Sequence, residues 1–161
     1  MKRKALIISI KGLKLSKKEM KLLSQKRPWG IILFKRNLKS IKQIKYLTNQ
    51  IKKLTKDKNF PILIDEEGIN VSRLGEIINH GISANFFGNL YKNDKNFCIN
   101  LFRHYINSLS KVLISLGINI NTVPVLDVLR KNTSKVIGNR SFSKDKLIVR
   151  KLGEALIRYF H

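Results

Sequence analysis

Four short stretches of this 161-residue chain are apolar at nearly every position: ALIISI (5–10), GIILF (30–34), FPILID (60–65) and INTVPVLD (120–127). An alternating strand leaves one face to water, whereas a run apolar throughout is covered on both faces, which points to parallel pairing. Helical patterns separate the runs. Ser16 and Glu19 form a capping box that opens the first, which ends before Pro28. The second, with Ser40 as N-cap, carries Ile41, Ile44, Leu47, Ile51 and Leu54 at spacings of three and four. Lys42, Lys45, Lys52 and Lys53 fall on its other faces and read as solvated. The third runs from Phe97 to Leu116 with Phe97, Leu101, Tyr105, Leu109, Val112 and Leu116 as its apolar stripe, and the fourth follows Ser143.

The order is therefore four βα units, an α/β fold with parallel strands adjacent in chain order and right-handed crossovers. The loops at 66–95 and 128–142 are far longer than the usual two to six residues, so function is to be sought there. No GxGxxG, P-loop, CxxC or HExxH pattern occurs, and His80, His104 and His161 are isolated. One domain over 1–161 is the expectation.

Thirty-three Lys and Arg against 10 Asp and Glu give a net charge of +23, and the sequence pI is about 10.5. Such a pI is the footprint of a nucleic-acid binder. The excess, however, is mostly Lys spread along the whole chain and mixed with Ile and Asn, not clustered Arg interleaved with aromatic residues. This reads as compositional bias, with no specific nucleic-acid partner. Cys98 stands alone, excludes a disulfide framework and reads as a small buried hydrophobe. The apolar run behind the basic N-terminus is six residues, short of a signal peptide, and no stretch reaches the ~18 apolar residues of a membrane span. A cytoplasmic protein is expected.

Asp65 and Asp127 each end an apolar run, and an arginine follows each in the next loop, Arg73 and Arg140. Two carboxylates at strand ends could form a glycosidase acid/base pair. Each could equally cap a loop or pair with its arginine. Carboxylate with guanidinium also suits a polyhydroxylated sugar, which needs acceptors and donors in fixed geometry.

GIILFKRN (30–37), PILIDEEG (61–68) followed by Arg73, VPVLDV (123–128) and VIGNRSFSKD (136–145) occur in this order. Together they resemble glycoside hydrolase family 3, in particular its bacterial cytoplasmic β-N-acetylhexosaminidases of peptidoglycan recycling. Those typically read GVILFxRN, DQEGGRVxR, APVLDV and IGxRSF. The resemblance implies the N-terminal half of a TIM (β/α)8 barrel, a fold of eight units and roughly 250 residues. It also implies an N-acetylglucosamine-containing saccharide as partner, with no cofactor or metal. Asp65, Arg73 and Arg140 would hold the sugar in the −1 subsite, and Asp127 would organise a loop.

Two departures touch the site. Gly68-Ile69-Asn70 stands where the family has Gly-Gly-Arg, so a β-branched residue would be strained if that glycine needs positive φ. GISANFFG lacks the family's proline before the third helix. The family's fifth strand with its Lys-His pair and KHFPGHG loop, the later loop His–Asp dyad that acts as acid/base, and the nucleophilic Asp have no counterpart among these residues. The resemblance thus implies a truncated domain with sugar contacts but no catalytic residue, inactive alone and with unpaired strand edges. A non-catalytic sugar-binding remnant and a basic nucleic-acid-binding protein are the alternatives.

Overall fold

The structure is a computed structural model and describes residues 3–160, so His161 lies outside the described residues. Four strands, β1 (Lys4–Ser9), β2 (Pro28–Leu33), β3 (Ile62–Ile64) and β4 (Ile120–Asn121), form one sheet in the order β1-β2-β3-β4. Every pairing is parallel, with Ile31 opposite Ile62 and Leu63 opposite Ile120. Five helices accompany them: α1 (Lys17–Lys26), α2 (Ile41–Thr55), α3 (Ala84–Asn93), α4 (Lys95–Ser115) and α5 (Lys146–Phe160). The α/β class and chain-ordered parallel sheet are those that the apolar runs predict.

The chain divides into two compact units. The first comprises the residues up to Asp65, 76–78 and 112–122; the second comprises 66–75, 79–111 and 123 onward. The first contains the whole sheet. Ile31, Leu33, Ile62 and Ile64 are buried in it, as are Ile44, Leu47 and Ile51 from the apolar stripe of α2. Ile41, at the start of that stripe, stays about half exposed at 47%. Ser16 and Glu19 make the expected capping box, and Ser40 accepts the Gln43 N–H at 3.2 Å to cap α2.

Two strand boundaries, and the burial of a third strand, differ from what the apolar runs suggest. β4 ends at Asn121 instead of Asp127, because Pro124 has no N–H to continue a ladder. β3 starts at Ile62, where the Asn119 side chain takes over: its Oδ1 accepts from Ile62 N at 2.8 Å and its Nδ2 donates to Phe60 O at 3.1 Å. β1 is an edge strand and is not covered on both faces, with Leu6 56% and Ile7 50% exposed. Continuous apolarity therefore marks burial of β2 and β3 but not of β1.

The second unit packs around Phe87, Cys98, Phe102, Ile106, Phe142, Val149 and Leu152. Here the expected third helix is corrected twice. It starts at Lys95, with Asp94 Oδ1 accepting the Phe97 N–H at 2.9 Å, and its buried stripe runs through Cys98, Phe102, Ile106 and Leu109. Phe97 is left exposed. The loop expected at 66–95 contains a further helix, α3. Its N-cap is Ser83, whose side chain accepts from Phe86 N, so the first turn is closed without the family's proline. Gly88 in α3 is there for contact: a Cβ at this position would lie 1.7 Å from the Phe142 carbonyl oxygen. No described helix is long and apolar enough to cross a membrane.

Candidate functional site

Asp65 follows β3 directly and is partly buried. The Thr122 hydroxyl donates to its Oδ1 at 2.6 Å, and the Thr122 N–H extends the parallel ladder by donating to Ile64 O at 3.0 Å. The carboxylate is thus held at the C-terminal end of a fully buried strand by the residue that follows β4. Asp65 belongs to the first unit and Arg73 and Arg140 to the second.

In the second unit, residues 66–74 form a tight loop. Glu67 and Gly68 both donate their N–H to Val71 O, at 2.8 and 3.3 Å. Gly68 has φ +138, and a Cβ there would lie 2.3 Å from Ile82 O, so only glycine fits. Ile69 does not need the conformation of the glycine it replaces, since the positive-φ residues other than glycine are Arg27 and Lys56 among those described. It projects outward at 60% exposure. The expected strain at Ile69 is absent.

Arg73 occupies the end of this loop, beside the fully buried Leu74. The carboxylate that fixes this stretch is Glu66, itself 1% exposed. Its Oε2 accepts the backbone N–H of both Arg73 and Leu74 at 2.9 Å, and its Oε1 meets His80 Nε2 at 2.6 Å. His80 Nδ1 lies 2.9 Å from the Tyr105 hydroxyl on α4. Burial raises the Glu66 pKa, but the hydrogen bonds from the His80 and Ser72 side chains and from the two backbone N–H groups outweigh it and leave it below the ordinary carboxylate value. Burial, helped by the Glu66 charge, pushes the Tyr105 hydroxyl up to about 12.

Arg140, at the end of a 3-10 turn (Gly138–Arg140), makes a fork-to-fork pair with Glu67: Nε to Oε2 at 2.7 Å and Nη2 to Oε1 at 2.9 Å. Both side chains are largely buried, 22% and 12% exposed. The arginine plane is thereby fixed against the loop that leads to Arg73. Asp127 is exposed, and its backbone carbonyl accepts from Ser141 Oγ. His104 is a surface residue of α4. Cys98 is fully buried, its Sγ donating to Phe87 O at 3.3 Å, and burial lifts its pKa to about 11. These values belong to a packing residue.

The partners Glu66, Glu67, His80 and Tyr105 were not legible as a group. His80 lies 14 residues from Glu66 and 25 from Tyr105. The one local signal is the run of three consecutive carboxylates, Asp65, Glu66 and Glu67, between an apolar strand and Gly68.

The chain-ordered parallel βα units, with Asp65 directly after β3, define an α/β domain of the barrel-half type. The family model of the glycosyl hydrolase family 3 N-terminal domain matches residues 2–161. The chain belongs to glycosyl hydrolase family 3. It is 32% identical over 157 residues to a β-hexosaminidase of Xylella fastidiosa, covering 97% of this chain and 46% of that protein. With a β-hexosaminidase of Hydrogenovibrio crunogenus it shares 33% identity over 129 residues, 80% of this chain and 36% of the relative. Among solved structures, NagZ from Neisseria gonorrhoeae, in complex with N-trifluoroacetyl-D-glucosamine, superposes with a TM-score of 0.87 at 31% identity. That match covers 98% of this chain and 45% of NagZ. The chain thus spans less than half the length of these relatives.

Proposed function

We propose that this chain is the sugar-binding N-terminal half of a β-N-acetylhexosaminidase of the type that removes terminal N-acetylglucosamine from muropeptide sugars in peptidoglycan recycling, in the cytoplasm. Asp65 accepts hydrogen bonds from sugar hydroxyls, and Arg73 and Arg140 donate to the N-acetylglucosamine unit. The observation that carries this reading is Arg140 itself. An arginine oriented by a bidentate carboxylate presents its donors in a fixed plane, which a hydroxyl-rich ligand needs.

In this reading the acid/base His–Asp dyad and the nucleophilic Asp belong to motifs absent from these 161 residues. A retaining glycosidase needs two catalytic groups flanking the scissile bond to form and hydrolyse a glycosyl-enzyme. The contacts assigned here are ground-state contacts. They support binding without turnover.

The test is release of a chromogenic aglycone from an N-acetylglucosaminide, run on this chain and on a version extended by the C-terminal portion of a β-hexosaminidase relative. The extended form turns over and the short form does not, since general acid–base catalysis alone contributes typically 10²–10⁴-fold. Turnover by the short form near the rate of the extended one would reassign Asp65 and Asp127 as catalytic. Calorimetric titration with N-acetylglucosamine, lost in Asp65→Ala, tests the binding half of the reading.

A further inference from the structure

We propose that Glu66, supported by His80 and Tyr105, is the positioning residue for Arg73. The proposal rests on the reading that Arg73 contacts the sugar. A carboxylate taken out of water costs several kcal/mol unless its oxygens are hydrogen-bonded. Glu66 is fully buried, and both of its oxygens have donors. Two successive backbone N–H groups converging on Oε2 fix the peptide planes on either side of the Arg73 Cα. Leu74, fully buried, anchors the next residue. The loop before Arg73 has no regular structure beyond the Gly68–Val71 bridge among the described residues, and the Glu66 carboxylate bonds to backbone on both sides of the Arg73 Cα.

The chain of protons is consistent end to end. Ionised Glu66 accepts from His80 Nε2–H, and Nδ1 then accepts from the Tyr105 hydroxyl, which stays protonated to about pH 12. Both ring nitrogens are engaged within the fold, so His80 has no lone pair or proton to offer a substrate. It acts through Glu66 on Arg73 and is a positioning residue, not a catalytic one. Tyr105 is anchored on α4, with its ring 5.3 Å from that of Phe87, which connects the loop to the core of the second unit.

The test is amide hydrogen exchange at Arg73 and Leu74, read beside titration with N-acetylglucosamine. The variants are Tyr105→Phe, His80→Phe, Glu66→Gln and Arg73→Ala. His80→Phe speeds exchange at these two amides at least about tenfold, while the amides of α2 keep their rates. Tyr105→Phe, which keeps the ring and removes only the hydroxyl, speeds it a few-fold. Glu66→Gln stays near the native rate, because its Oε1 accepts both N–H groups and its amide donates to the other His80 tautomer. Sugar dissociation constants rise in step with exchange, and His80→Phe has no further effect on affinity when Arg73 is already alanine. Native exchange rates in His80→Phe, or affinity losses that add in the double variant, overturn the proposal. If Arg73→Ala binds sugar like the native chain, the sugar reading of Arg73 fails instead, and the exchange rates still decide whether Glu66 clamps the loop.

Discussion

Arg140 and Glu67 are joined by two parallel hydrogen bonds of 2.7 and 2.9 Å across 73 residues of sequence. Hydrogen bonds to charged partners contribute about 1.5–3 kcal/mol each when partly withdrawn from water. Removing one partner leaves the other desolvated.

Glu67→Ala is therefore expected to lower unfolding stability by about 2–3 kcal/mol, and Arg140→Lys, which keeps the charge but not the fork, by about 1 kcal/mol. Chemical denaturation at low and high salt checks both. The native-minus-variant difference should change little with salt, since partly buried pairs are screened weakly. A difference that vanishes at high salt would mark an ordinary surface pair.

Gly88→Ala tests the packing of α3. The added methyl would sit 1.7 Å from the Phe142 carbonyl oxygen, a backbone atom that cannot rotate away. The gain in helix propensity, about 1 kcal/mol, is outweighed by displacement of the helix or of the 141–143 segment, at about 3 kcal/mol. Thermal denaturation should show a lower midpoint for Gly88→Ala, whereas Lys92→Ala, on the exposed side of the same helix, stays near native.

Alternation of apolar runs and helical stripes was enough to order the sheet, because β3 is buried throughout and the GII run of β2 is largely buried, so their continuous apolarity has no competing explanation. What was not legible lay where a side chain replaces backbone. Asn119 takes the place of a strand neighbour for Ile62, which a search for apolar runs cannot see. α3 was hidden by Gly88 and its asparagines, poor helix formers retained for a close contact and a capped start. In the site, Asp65, Arg73 and Arg140 were named from motifs, while Glu66 and Glu67, which fix the loop and the guanidinium, read as ordinary acidic neighbours. Their partners come from distant sequence, and only the fold brings them together.

Cys98 provides a simple probe of the second core. Its thiol is fully buried and its pKa lies near 11, so almost no thiolate exists at neutral pH. A thiol-reactive disulfide reagent at pH 7.5 is expected to leave the native chain unmodified over hours and to label it stoichiometrically in denaturant. Rapid labelling of the native chain would mean that the Phe87–Phe102 core opens readily.

Glu66 sets an acid limit on stability. Its folded pKa lies below the ordinary value of 4.5, so the native state binds this proton less readily than the unfolded chain. The sign follows: the contribution is complete above about pH 4.5 and is lost as pH falls through the folded value, at up to about 1.4 kcal/mol per pH unit for one group. Glu19, whose pKa is also lowered, contributes to the same slope, so the native profile alone does not isolate Glu66. Glu66→Gln does. Its amide keeps the hydrogen-bond geometry but cannot titrate, and its thermal midpoint should fall less steeply between pH 5 and about pH 3 than that of the native chain. Parallel native and Glu66→Gln profiles over that range would show that the folded and unfolded pKa values are equal, so that the hydrogen bonds around Glu66 do not favour its charged form.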